Sequence, residues 1–379
     1  LMNFDMGEAE KQICKRIREL FAGDTAAELR QMEILPMEDV RRITRHWLTS
    51  LGEAGYPMSS MENGRNSVSL VAKQEQLAAL APSLFLSVEV SIRIFGRLIT
   101  LFGSEDQKNA VLPDLISGKT IGAVALSENG MNIEKDPLNT MGVSSTDGFH
   151  VTGNKGHVIN APIADWIAVA GKIDGREGPA FFLMEKESKG LFMGHRLATL
   201  GYEGVPISPI RLDDCPVPPA HVIHPPVDRA VLQTVRMWED QVLTAASLGL
   251  MRRSFDAALE YAKTHRSGGK PIVAYQEVGF KLAEMLTLFQ TAQLLAYRAA
   301  WMSESEDREA DVLAHSAKVF CAESAEKVAS DALQILGGKG YVCGNPVEAG
   351  YRDAKYIQIA GTSTEISRMK IGDRVLEYP

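Results

Sequence analysis

The hydrophobic period of this chain changes twice, and that succession constrains its fold more than any single motif. From Asn3 to about Ile121 apolar residues recur every three or four positions, in segments near 5–22, 37–54, 71–102 and 104–117. That is the spacing of one buried face on an α-helix. Between Gly122 and about Ile223 the period drops towards two. Short runs such as HVTGNK, WIAVAGK, AFFLMEK, LFMGHRL and PIRLDD are separated by Gly, Asp and Pro, as in an antiparallel barrel or sandwich. After Asp228 helical stripes return: Leu248, Met251, Phe255, Ala258 and Ala262; Val278, Leu282, Met285, Phe289, Ala292 and Ala296; Leu313, Ala317, Phe320, Ser324, Val328 and Ala332. Three such stripes predict the antiparallel helices of a bundle. The expected division is a helical domain over 1–121, a β domain over 122–226 closed by the linker HPPVDR, and a helical domain over 227–379.

Composition narrows the function classes. A net charge of -8 with no Lys/Arg-rich run lacks the basic footprint of a nucleic-acid binder. Cys14, Cys215, Cys321 and Cys343 show no C-x-x-C spacing, and the histidines show no metal-ligand spacing, so neither a metal nor a disulfide framework is expected. No apolar run reaches the roughly 18 residues of a membrane span, and Asp5, Glu8 and Glu10 sit where a signal peptide is basic. These features read as a cytoplasmic protein without membrane partners.

Four segments, in order, carry a resemblance. FGSEDQKNAVLPDLISGKTIGAVALSE places a helix, N-capped by Ser104 and closed at Gly118, ahead of a T-E-P-G-A-G-S-D-like strand exit. GFHVTGNKGHVINAPIADWIAVA is similar to an N-G-x-K-x-W-I-T-N strand pair. LATLGYEGVPISPIRLDDCPVPPAHVI looks like a last barrel strand, and QILGGKGYVCGNPVEAGYRDAKYIQIAGTSTEISRMKIG like a C-terminal signature. Together they resemble the acyl-CoA dehydrogenase family over nearly the whole chain. The resemblance implies an α+β, mostly α fold: N-terminal helices, a middle antiparallel β-barrel and a C-terminal four-helix bundle, in a homotetramer or dimer of dimers. It implies FAD, an acyl thioester substrate bound to coenzyme A or a carrier protein, and an electron-transfer flavoprotein as acceptor. The implied chemistry takes a proton from the α carbon to a carboxylate and a hydride from the β carbon to flavin N5.

The base is not where many family members carry it. An ungapped match of the loop after R-D-A-K to I-Y-E-G-T puts Gly361 at the Glu position. The isovaleryl-CoA and long-chain branches instead place Glu on the first bundle helix, ahead of G-L-M, and Glu239 in WEDQVLTAASLGLM matches. Glu239 also shares a helix face with Val242, Leu243, Ala246 and Leu250. Burial there is expected to raise its pKa, whereas Asp240, above Thr244 and Ser247, is expected on a wetter side as an ordinary acid. The alternative is a carboxylate that turns to water or pairs with Arg236.

The cofactor contacts carry over with departures. Ser127 and Glu128 match the T-E of the strand exit, Leu126 before them falls at a cofactor position, and a Ser hydroxyl can replace Thr at the flavin pyrimidine edge. Ile133 stands where a Ser meets cofactor or thioester, His157 where a Trp covers the ring, and Ile159 where a Thr donates to N5. His265 takes the place of the phosphate-clamping Arg, one residue before Arg266, and Gly268 that of an aromatic. Gln276, Gln334, Gly337, Gly338, Ser363 and Glu365 retain positions that bind FAD across a subunit interface. Asp240, Gly361 and Thr362 fall at substrate positions, Asp240 with reversed charge. Arg352 and Lys355 read as salt-bridge partners. Besides the dehydrogenase, these losses leave open a flavin-poor structural or regulatory subunit, and a carrier-protein or redox-neutral variant.

Overall fold

The computed structural model describes residues 7–22, 29, 31–61, 67–130, 136–226, 230–303 and 309–376. Its N-terminal part is helical: α1 (Glu8–Leu20), α2 (Met37–Glu53), α3 (Tyr56–Met61), α4 (Ser67–Leu80), α5 (Pro82–Glu89), α6 (Arg97–Phe102) and α7 (Glu105–Ile116). The single helix expected near 71–102 is interrupted twice. Pro82 opens α5 and forces Ala81 out of helical geometry, at φ -144° and ψ 70°. Between α5 and α6 the backbone winds as a π-helix over Val90–Gly96, a geometry hydrophobic periodicity cannot distinguish from α. Ser104 does cap α7, through a reciprocal box in which Gln107 N donates to Ser104 Oγ and Ser104 N to Gln107 Oε1. Gln107 Nε2 then donates to the Ala220 and Val222 carbonyls and ties the helix to the sheet.

The strands are β1 (Gly122–Ala125), β2 (Met141–Ser145), β3 (Gly148–Ile159), β4 (Trp166–Ile173), β5 (Ala180–Glu185), β6 (Leu191–Met193), β7 (Ile207–Val217) and β8 (Val222–Ile223). They pair in the order β6-β7-β3-β2-β4-β5-β8, with β1 parallel to β4 off that path. The expected barrel is thus an open sheet among the described residues: β6 and β8, the ends of the path, do not pair with each other. Register shifts between Val151 and Gly153 and between Lys155 and Val158 bend β3 against β7. The second shift lies directly before the strand end that carries Ile159.

The C-terminal helices are α8 (Ala230–Thr264), α9 (Gln276–Met302), α10 (Glu309–Leu336), α11 (Pro346–Ile359) and α12 (Thr364–Leu376). The predicted stripes face inward: Leu248, Met251, Ala258, Ala262, Leu282, Met285, Ala292, Ala317, Val328 and Ala332 are all buried. A tight hairpin joins α8 to α9. Gly268 and Gly269 turn it at φ of +55° and +81°, the two left-handed residues such a turn requires. Gly249 lets α8 press on α4, since a Cβ there would stand 2.5 Å from that of Ala78. No helix among the described residues is long and apolar enough to cross a membrane.

Candidate active site

The exit from β1 is pinned by a buried ion pair. Glu128 accepts from Lys155 Nζ at 2.8 Å, from Thr140 N and Oγ1 at 2.9 and 2.7 Å, and from Asn139 N at 2.7 Å. Burial alone would raise its carboxyl. The hydrogen bonds from Lys155 and Thr140 outweigh burial and hold it at about 2. Lys155, pushed down to about 8 by burial, also donates to the Leu126 carbonyl at 3.0 Å. The peptide preceding Ser127 is therefore fixed. On the far side of β3, Asn160 takes a left-handed φ of 67° while its Nδ2 donates to the Ser87 and Gly122 carbonyls, anchoring the turn that follows Ile159.

Facing this exit is the first third of α8. Arg236 Nη1 donates to Glu239 Oε2 at 3.0 Å and to the Gly361 carbonyl at 3.3 Å, and Nη2 donates to Ser127 Oγ at 3.1 Å. One guanidinium thus touches sheet, helix and the 360–363 loop, and brings three of the expected site residues together. The Glu239 side chain keeps 22% of its surface and pairs with Arg236, the arrangement weighed as the alternative to full burial.

The expected order of burial of the two neighbouring acids is reversed. Asp240 is 2% exposed, and burial pushes its carboxyl up to about 6, against the lowering influence of Lys318 and Thr362. Its Oδ1 accepts from Thr362 N at 2.8 Å, and Oδ2 has no protein partner beside a narrow void of about 30 Å³ lined in part by Arg93, Gln241 and Thr244. The wetter side inferred from Thr244 and Ser247 is dry because both hydroxyls donate to carbonyls one turn back, Asp240 O at 2.8 Å and Leu243 O at 3.0 Å. Buried Lys318 completes the arrangement by donating to the Ile357 and Ala360 carbonyls. A side chain at Gly361, itself at φ +65°, would run into Asp240 Oδ1 and meet Leu243 Cδ1 at 3.0 Å.

A pH-dependent stability follows. Because the folded pKa of Asp240 lies above its ordinary 3.8, its contribution is fully present below that value and is lost as pH rises through about 6. The loss is roughly 2–3 kcal/mol. Denaturant melts across pH 4–7 should show this decline in the wild type and not in Asp240→Asn. Parallel curves for the two proteins would contradict it.

The remaining expected residues divide into two groups. His157 is exposed on β3, Ile159 is partly buried and brings no side-chain donor, and Ile133 lies outside the described residues. Thr362 keeps a buried hydroxyl without a protein partner, and Ser363 Oγ accepts from Ile366 N at the start of α12, next to exposed Glu365. His265 is elsewhere. It stacks on Tyr261 at 4.7 Å, and Lys339 Nζ lies over the same Tyr ring at 5.4 Å, so His265, Gln334, Gly337 and Gly338 gather at the hairpin end of the bundle with Gln276. Arg266 is engaged with the Gly269 carbonyl inside the hairpin. From Glu239 to His265 the rise along α8 is roughly 40 Å. One chain cannot bring both groups to a single ligand of dinucleotide size. Arg352 pairs with Glu348 at 2.9 Å and Lys355 lies 3.9 Å from Glu326, as structural partners.

N-terminal helices, an open sheet and a C-terminal bundle of long helices, in that order, make up the architecture. Butyryl-CoA dehydrogenase from Megasphaera elsdenii shares it with a TM-score of 0.89, over 99% of this chain and 100% of that one; at 23% identity this likeness concerns the fold. Residues 7–119 match the acyl-CoA dehydrogenase N-terminal domain and residues 230–376 the acyl-CoA dehydrogenase C-terminal domain. A 3-(aryl)acrylate reductase of Clostridium sporogenes is 31% identical over 75% of this chain and 76% of its own. An acyl-CoA dehydrogenase of Bacillus subtilis is 29% identical over 93% of each. The chain belongs to the acyl-CoA dehydrogenase family.

Proposed function

We propose that this protein is a flavin-dependent α,β-dehydrogenase of acyl thioesters with Glu239 as its base. The observation that carries the reading is the three-way contact of Arg236. It holds a carboxylate at the seam between sheet and bundle, beside a loop whose own base position is Gly361. FAD, when bound, supplies the acceptor for the β-carbon hydride. The donor set suits a flavin at its pyrimidine edge, where Ser127 and Arg236 stand, and offers nothing from the Ile159 side chain at N5.

Leu126, Ser127, His157, Ile159, Ser363 and Glu365 would hold the flavin half of the cofactor. Glu239 receives the α proton. Gly361 and Thr362 border the thioester. The distal group His265, Gln276, Gln334, Gly337 and Gly338 serves the adenosine and phosphate half of a cofactor seated mainly in a second copy. Exposed Phe280, Leu294 and Trp301 on α9, at 71%, 57% and 41%, give an apolar surface for that copy. An electron-transfer flavoprotein is the acceptor, and an acyl-CoA the substrate. The motive for a carrier-protein or redox-neutral variant is weaker, because Asp240 is buried and its Oδ1 accepts from Thr362 N.

Purified protein should be yellow and should bleach on addition of a matching acyl-CoA under anaerobic conditions. A colourless preparation that takes up no added FAD overturns the reading. It favours instead the flavin-poor subunit, which the donorless Ile159 supports and co-purification with a second dehydrogenase chain would establish.

A further inference from the structure

In the described structure Arg236 donates through Nη1 to Glu239 Oε2 at 3.0 Å and to the Gly361 carbonyl at 3.3 Å, and through Nη2 to Ser127 Oγ at 3.1 Å, and its Nε is buried without an acceptor. The side chain keeps 13% of its surface, so the charge is largely withdrawn from water and acts at close range. We propose that Arg236 is the charge-setting residue of the flavin site: it compensates Glu239 before the reaction and the pyrimidine edge of the cofactor after it. This rests on the functional reading above.

The argument is one of charge balance. When the α C–H bond breaks, its proton neutralises the Glu239 carboxylate. When the β C–H bond breaks, its hydrogen leaves with the electron pair to flavin N5, and the acyl group is left with a carbon–carbon double bond. One unit of negative charge has then moved from the Glu239 side of the guanidinium to the Ser127 side. Arg236 faces an anion at both ends of this transfer and need travel little, a pre-organised arrangement that favours charge as it develops. It also answers the loss at Ile159: a hydrogen bond missing at N5 is offset by a cation at the opposite edge of the ring system. A guanidinium suits this because it stays charged and presents donors in several directions at once.

The two flanking residues should move the flavin potential in opposite directions. Arg236→Met removes the cation and is expected to shift the two-electron equilibrium at least tenfold towards oxidised flavin, about 30 mV. Glu239→Gln removes the compensating anion and should shift it towards reduced flavin, while Arg236→Lys stays near wild type. Potentials are read by dye equilibration of the FAD-loaded protein, without substrate. Should Arg236→Met fail to retain FAD, Arg236→Gln, which keeps a donor for Ser127 and lacks the charge, gives the same comparison. An unmoved potential in the uncharged variant, with a yellow wild type, overturns this proposal and leaves the dehydrogenase reading standing. A wild type that binds no FAD removes both.

Discussion

Glu239→Gln should bleach with an acyl-CoA substrate about 10²–10⁴-fold more slowly than the wild type, the usual contribution of a positioned general base. The amide matches the carboxylate in size, and its oxygen can still accept from Arg236 Nη1, so fold and cofactor binding are expected to survive. What it cannot do is accept a proton from carbon. No loop carboxylate stands in for it, because position 361 is glycine. Stopped-flow reduction of the FAD-loaded variant, set against its flavin content, separates loss of chemistry from loss of cofactor. Retention of more than about a tenth of the wild-type rate, well above the expected range, would mean the α proton leaves by another route.

Lys155→Met should be the most damaging single change to stability, costing about 3–5 kcal/mol, the usual effect of removing one partner from a buried ion pair. Both side chains are nearly inaccessible, at 0% and 4%. The variant leaves Glu128 charged or forces it to take up a proton, and frees the Leu126 carbonyl. The double variant Lys155→Met/Glu128→Gln removes the stranded charge and should recover a substantial part of the loss, a non-additivity that equilibrium unfolding would detect. Were Lys155→Met within about 1 kcal/mol of wild type, the pair could not be what fixes the β1 exit.

The large architecture was legible because burial of long helical stripes and alternating strands is a one-dimensional pattern. The Ala81–Pro82 break carried its own signal in proline. The π-helical turn over Val90–Gly96 and the open sheet did not, since both depend on which backbone groups find each other across distant segments. At the seam, the pairing of Glu239 with Arg236 three residues earlier is legible in the sequence only as the alternative to burial, and Glu239 itself stands out through the family resemblance. The burial order of Glu239 and Asp240 could not be read, because Thr244 and Ser247 count as polar in a sequence yet satisfy themselves on their own helix. The contact from Arg236 to Ser127 joins residues 109 positions apart. No local pattern announces it.

The crowding at Gly361 bears on how this protein can change over generations. A glutamate restored at the loop would need a backbone now held at φ +65° and a volume now filled by Asp240 and Leu243. A side chain at position 361 therefore requires residue 240 to be remodelled as well, while Lys318 keeps the Ile357 and Ala360 carbonyls as acceptors. Positions 361 and 240 are thus coupled, and a carboxylate can enter the loop only together with a smaller or reoriented partner on the neighbouring helix.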